Sequence, residues 1–209
     1  MPREIYRTAD SKRVPGVTTV LQVLNKPALL EWANRIGLEG IVMREYRDEL
    51  ADIGKAAHYM ILCRLTNAEP DLDAYSPSAA RAAENSLHRF VEWEKQHVVE
   101  VIMAEKPLVS EQGFGGTPDV YANVDGIPTL LDFKTGKGIY DEMLFQVGGG
   151  YSLLLKERGY PVERAWILNI PRTESEGWVE RVETDLQRYE RVFLAALHLH
   201  RLLKELKAA

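Results

Sequence analysis

Short runs of β-branched and aromatic residues flank one dipeptide, Asp125-Gly126, and that dipeptide constrains the middle of the chain more than any other feature. Both central positions of a two-residue type I′ turn need positive φ, which aspartate tolerates and glycine adopts freely. A two-residue loop sets position 124 opposite 127, and counting outward then sets Asp119 opposite Asp132. Side chains alternate across a strand, so Asp119, Asp132 and, two residues on, Lys134 are expected on one face. Val120, Leu131 and Phe133 fall on the other face as core. The opposed Cβ atoms would stand about 5 Å apart, with Lys134 roughly 6.6 Å further along the strand.

Around this hairpin the pattern alternates between periods. Ala28 to Gly37 reads as a helix after the Thr-rich start at Thr18. Arg44 to Leu65 carries Leu50, Ile53, Ala57, Met60, Ile61 and Leu65 at helical spacing. Residues 66 to 78, with Pro70 and Pro77, read as a linker, and Ser78 to Gln96 as a further helix. Strands are expected over Val98–Glu105, Phe114–Asn123 and Pro128–Lys134, then a helix over Asp141–Arg158, strands over Val162–Ile170 and Trp178–Glu183, and a last helix over Asp185–Lys207. A helix between two strands returns a parallel strand, so the sheet should be mixed and covered by helices. The expectation is one α/β (α+β) domain over 1–209, with an N-terminal helical region over 1–75 and a core over 78–209.

Composition supports that size of core: 45% of the 209 residues are hydrophobic. No apolar run approaches the roughly 18 to 20 residues of a membrane span, and the start lacks a basic-then-apolar signal. A protein without a membrane partner, cytoplasmic in a bacterium or a phage-infected host, is the expectation. The single cysteine, Cys63, rules out an internal disulfide and any four-cysteine zinc or iron–sulfur site. It reads as a buried thiol on a helix, leaving oxygen and imidazole to hold any metal. The formal charge of −5 has the wrong sign for phosphate binding by charge alone. Carboxylates gathered around metal ions depress net charge while leaving a local basic groove intact.

Two carboxylates directly opposed on a sheet repel, and a cation offsets the repulsion. Mg²⁺ takes a few carboxylates, retained waters and substrate phosphate oxygens, and Lys134 is spaced to orient a water or stabilise charge on a phosphate. From spacing alone the alternative is that Lys134 only neutralises an exposed acidic hairpin. Gly136-Lys137 is not a phosphate-binding P-loop, because the earlier glycine and the following Ser or Thr are missing.

Gly115-Gly116-Thr117-Pro118-Asp119, 12 intervening residues, then Asp132-Phe133-Lys134-Thr135-Gly136-Lys137 resembles the signature of the PD-(D/E)xK nuclease superfamily. Within it the chain is similar to the RecB-type and phage exonuclease branch, which includes the mitochondrial genome maintenance exonuclease. Residues 50 to 170 follow that order of elements, and Thr18 to Trp32 is similar to the branch's N-terminal region. The resemblance implies a restriction-endonuclease-like core and a Mg²⁺- or Mn²⁺-dependent DNA exonuclease acting in recombination, repair or replication. Its partners would be single-stranded DNA or duplex ends and a recombination or replication protein.

The resemblance also assigns residues. Asp119, Asp132, His58 in the run IGKAAH, Glu105 and the backbone carbonyl of Phe133 would hold metal, with Lys134 and Gln146 completing the catalytic set. Thr135, Lys137 and Tyr151 would touch nucleic acid. Gly54, one turn before His58, leaves room for a strand or ligand to approach. Glu100 and Glu111 compete with Glu105 for the acidic role. The family motif is Gln-x-x-x-Tyr, whereas Tyr151 stands five residues after Gln146, about 100° off on an α-helix unless Gly148-Gly149-Gly150 distorts it. That glycine run implies either close approach of a ligand or strand, or tight packing on the sheet. His198 and His200 read as solvated helix residues. Tyr6, Trp32, Tyr140 and Tyr151 could stack on bases; Lys12, Arg13, Lys26, Lys55, Lys137 and Arg172 could track phosphates. The same residues would suit a nucleic-acid-binding subunit without turnover, or an enzyme for branched DNA or RNA. Polarity, strand preference, exo or endo action, the number of ions and the oligomeric state stay open.

Overall fold

The computed structural model describes residues 4–25, 27–173 and 175–208, so Lys26 lies outside the described residues. A hairpin of β1 (Tyr6–Arg7) and β2 (Arg13–Val14) leads into α1 (Val17–Val20), a 3₁₀ turn (Leu21–Val23), α2 (Pro27–Leu38), α3 (Met43–Thr66) and α4 (Pro77–Glu94). Then come β3 (Val99–Ala104), the small pair β4 (Leu108–Val109) and β5 (Gly115–Gly116), β6 (Val120–Val124) and β7 (Ile127–Lys134). The chain continues through α5 (Asp141–Leu144), a π-helical segment (Phe145–Tyr151), α6 (Ser152–Glu157), β8 (Arg164–Asn169), β9 (Val179–Glu183) and α7 (Leu186–Ala208).

Five strands form a mixed sheet in the order β3-β6-β7-β8-β9, flanked by helices. The β6–β7 turn is the two-residue loop required by Asp125-Gly126: both residues have positive φ, 55° and 79°, and Val124 pairs with Ile127. Only β7 and β8 run parallel, because the helical crossover between them returns the chain in the same direction.

Alternation along β6 and β7 separates two cores. Val120, Ala122, Val124, Leu131 and Phe133 pack with Ile61, Phe90 and Trp93 of α3 and α4. Tyr121 and Leu130 join the cluster built from Leu144, Val147, Tyr151 and Leu154 with Tyr189 and Phe193 of α7. Each fully buried side chain of this kind contributes about 1.5–3 kcal/mol. α4 begins at Pro77, one residue before the expected Ser78, because Ser76 caps it through a 3.2 Å bond from the Ala79 amide and proline suits the first helical position. Cys63 is buried in α3.

Three expectations need correction. The strand expected over Phe114–Asn123 is two strands, broken at 117–119 where Pro118 has no amide to donate. The two-residue strand pairs β1/β2 and β4/β5 were not foreseen, being too short to show alternation. The helix expected over Asp141–Arg158 changes hand-over distance at its centre, with a π-helical turn between α5 and α6.

Candidate active site

β7 carries the buried charges. Asp132 is fully buried, and neither of its carboxylate oxygens has a hydrogen-bond partner of proper geometry. The Lys134 ammonium nevertheless lies in ion-pair contact with its Oδ2. Burial pushes the Asp132 carboxyl up to about 6, and the Lys134 charge only partly opposes that rise. Burial acts to strip the proton from Lys134, but Asp132 and Asp119 outweigh it and raise its pKa, so the ammonium stays charged.

Asp119 sits one residue before β6, where the rung after Val120–Leu131 would fall. Its Oδ2 accepts the Phe133 amide at 2.8 Å, which anchors the carboxylate to β7. Burial raises its pKa, against the pull of Lys134. His58, on α3 below the opposite face, brings Nδ1 to 3.6 Å from Asp119 Oδ2, with its ring edge-on to Phe133 at 6.0 Å. Burial, then Lys134, depresses this imidazole to about 4, so it stays neutral at ordinary pH with a lone pair free to donate. The residue types meet here because two helical layers reach the C-terminal end of β7. α3 supplies His58 from one side; the π-helical segment supplies Gln146 and Tyr151 from the other.

Gly54 has the role its spacing suggested: a Cβ there would lie 2.9 Å from Oγ1 of Thr135, so its absence lets the residue after Lys134 pass against α3. Glu105 follows β3 with φ of 43°, and its amide donates to the Asp119 carbonyl at 2.9 Å. Its side chain is exposed; partial desolvation, then Asp119 and Glu4, raise its pKa. The competitors point elsewhere. Glu100 faces Asn123 near the hairpin end of the sheet, and the Glu111 amide is bound to Glu157 in the β4–β5 turn. Lys137 is exposed beyond β7.

The displaced tyrosine is brought back by the backbone. In a π-helix the hydrogen-bonded repeat is i to i+5, so residues five apart stack as residues four apart do on an α-helix. Gln146 Nε2 donates to Tyr151 Oη at 2.8 Å. The Tyr151 ring is buried, and Gly116 makes room for it, since a Cβ there would come within 2.7 Å of Cε1. Burial raises the phenol well above its ordinary range, helped by Asp132 and Asp119 nearby. A ring so enclosed offers no free face for base stacking. The glycine run serves packing against α7 and α1, not the sheet. A Cβ on Gly149 would meet the Tyr189 carbonyl oxygen at 2.8 Å, and one on Gly150 would meet Val17 at 2.6 Å.

Two groups were missed at the level of sequence. Asn169, buried at the end of β8 and paired in register with Lys134, accepts the Gly136 amide and donates to the Gly136 carbonyl, both at 3.0 Å. It fastens the turn after Lys134; only its place at a strand end could have signalled this. Glu4 joins Tyr6 and Thr117 through its carboxylate, two residues from Asp119, and no local pattern marks it. Arg172 is not available to phosphates, being buried and held by Glu176. Trp32 stacks on Tyr46, Tyr6 packs over Gly115, and Tyr140 is exposed. Among the described residues no three His, Cys, Asp or Glu side chains converge as a ready ligand group, the Lys134 ammonium being the cation against Asp132. No described helix is long and apolar enough to cross a membrane.

No family model and no curated protein matches the sequence. Among solved structures the chain is similar to an alkaline exonuclease (LHK-Exo) from Laribacter hongkongensis, at 14% identity and TM-score 0.40 over 92% of each chain. The same protein in complex with dAMP gives TM-score 0.39 over 93% of each. A protein designated SSO0001 gives 0.30 over 59% of this chain and 61% of its own. At these scores the likeness adds nothing to the fold already read from the sheet order.

Proposed function

We propose that this protein is a Mg²⁺- or Mn²⁺-dependent deoxyribonuclease that hydrolyses DNA phosphodiester bonds, working as an exonuclease in recombination, repair or replication. The observation that carries the reading is the fully buried Asp132 carboxylate, whose Oδ1 has no partner and whose Oδ2 meets only the Lys134 ammonium, beside a second carboxylate, Asp119. One ammonium between two buried carboxylates leaves negative charge uncompensated, which is costly in a low-dielectric site. A hard cation satisfies such oxygens, and the donor set is of the kind Mg²⁺ accepts: Asp119, Asp132, neutral His58, the Phe133 carbonyl and Glu105, with waters and phosphate oxygens completing the shell. When bound, such an ion supplies Lewis-acid polarisation of the phosphate and a lower pKa for water.

The remaining roles belong to the chain. Asp119 is held in place by the Phe133 amide, so its carboxylate needs no reorganisation when substrate arrives. Lys134 stays protonated, and its ammonium, beside Asp132, is the group that would hold the attacking water or the phosphate oxygen on which charge grows. Gln146 and Tyr151 close the inner wall, and Asn169 fixes the turn that carries Thr135 and Lys137. In keeping with the exonuclease reading, a recombination or replication protein is the proposed partner.

Cleavage of end-labelled single- and double-stranded DNA in Mg²⁺, Mn²⁺ or EDTA tests this, with Lys134→Ala and Asp132→Ala beside the wild type. Metal-dependent degradation lost in both variants is expected, and the ladder of products reveals polarity. An inert wild type that still binds DNA would replace the enzyme by a binding subunit.

A further inference from the structure

A groove of about 1200 Å³ runs between the N-terminal hairpin and the outer half of α7. One of its lining residues, Glu4, links it to the candidate active site. Glu4, which lines it, bonds Thr117 two residues from Asp119, and Gly16, which also lines it, bridges to Gly115. Lys12 and Arg13 stand on one wall, and His200, Arg201, Lys204 and Lys207 on the other. On a helix, residues 200, 204 and 207 share one side. These five lysines and arginines are exposed, and among the described residues none of them is in an ion pair, though the Arg201 guanidinium donates to the Gln112 carbonyl.

Convergence on α7 shows in His200, whose pKa is lowered by burial and then by Lys204, Arg201 and Lys207. Four carboxylates, Glu4, Asp10, Glu111 and Glu205, also line the groove, Asp10 interacting with Lys12, so the excess of positive charge lies on the α7 wall, where Arg201, Lys204 and Lys207 face Glu205. A chain of net charge −5 that gathers exposed lysines and an arginine along the α7 wall of a groove, with Lys12 and Arg13 across from them, favours a polyanion there.

We propose that this groove binds the phosphodiester backbone of a single nucleic-acid strand and guides it to or from Asp119 and Asp132. The proposal rests on the nuclease reading for the direction of the strand, but its binding test does not. Affinity of a fluorescein-labelled oligothymidylate is measured in EDTA across a salt series. Wild type is compared with Lys204→Gln/Lys207→Gln, with Lys12→Gln/Arg13→Gln, and with Lys95→Gln, which lies on the other side of the sheet at the end of α4.

Each lost phosphate contact on a single strand should flatten the slope of log K against log salt by about 0.7. Each double variant should therefore flatten it by about 1.4 and weaken binding at low salt by tenfold or more, with Lys95→Gln unchanged. Both walls must respond: unchanged affinity and slope in either double variant, with wild-type circular dichroism, overturns the proposal. Hydrolysis of bis(p-nitrophenyl) phosphate, which is too small to fill the groove, separates the two readings. Loss of oligonucleotide binding with no phosphodiesterase activity in the wild type keeps the groove and removes the nuclease.

Discussion

Alternate residues of one strand, β7, lead opposite lives. Leu131 and Phe133 face α3 and α4 in a dry, fully buried cluster, Phe133 packed edge-on to Phe90 at 5.5 Å. Asp132 and Lys134, their immediate neighbours, put a fully buried carboxylate, one of whose oxygens has no partner, against a half-buried, charged ammonium. The first set can only stabilise. The second costs stability in the absence of a ligand, and natural sequences tolerate such a cost mainly where the group acts on something else. Substitutions on the two faces should therefore separate activity from folding.

The largest effect is expected at Lys134 and Asp132. Lys134→Ala or Asp132→Asn should lower DNA cleavage by about 10³-fold, near 4 kcal/mol of transition-state stabilisation, while urea unfolding of Asp132→Asn shifts by less than about 1 kcal/mol. Unfolding that shifts as strongly as cleavage would make Asp132 a structural residue and dissolve the comparison. Phe133→Ala is the mirror image. A cavity in the dry face should cost about 3–5 kcal/mol in chemical denaturation, with activity per folded molecule within a few fold of wild type.

Between these extremes lies Asn169, which belongs to neither face but ties the Lys134 turn. Asn169→Leu leaves the Gly136 amide and carbonyl unmet and should cost about 1–3 kcal/mol. It should also lower kcat about tenfold with little change in KM, and Asn169→Asp, which can still accept from Gly136, should recover part of that loss. The smallest pair compares glycines. Gly149→Ala meets backbone at 2.8 Å and should destabilise by about 1–3 kcal/mol despite better helix propensity. Gly37→Ala, with open space around it on α2, should stabilise by about 0.5–1 kcal/mol. Equal effects at both positions, read from thermal midpoints, would argue against the tight α7 contact.

Much of this was legible because local chemistry left one choice. Asp125-Gly126 allows a tight turn, the turn sets the register, and the register sets the parity of Asp132, Lys134 and Phe133. The crossover made β8 parallel for the same reason. Long-range approach was less legible. Nothing local to Glu4 says that the N-terminal segment folds beside Thr117, and nothing in 148–150 says that the glycines meet α7 and not the sheet. The Gln146–Tyr151 spacing was readable only as a conflict. Its resolution by a π-helical turn depends on how closely Tyr189, Phe193 and Val17 press on those glycines. Arg172 misled for a related reason: an arginine beyond a strand looks free until Glu176, four residues on, folds back to hold it.

The central claim is that the charged face of β7 exists to bind a divalent cation, and calorimetric titration of Mn²⁺ into wild type and Asp132→Asn tests it most directly. Saturable binding to the wild type that is lost in Asp132→Asn, with both proteins equally folded, is the expected result. Equal binding to the two proteins, or none to the wild type, would contradict it.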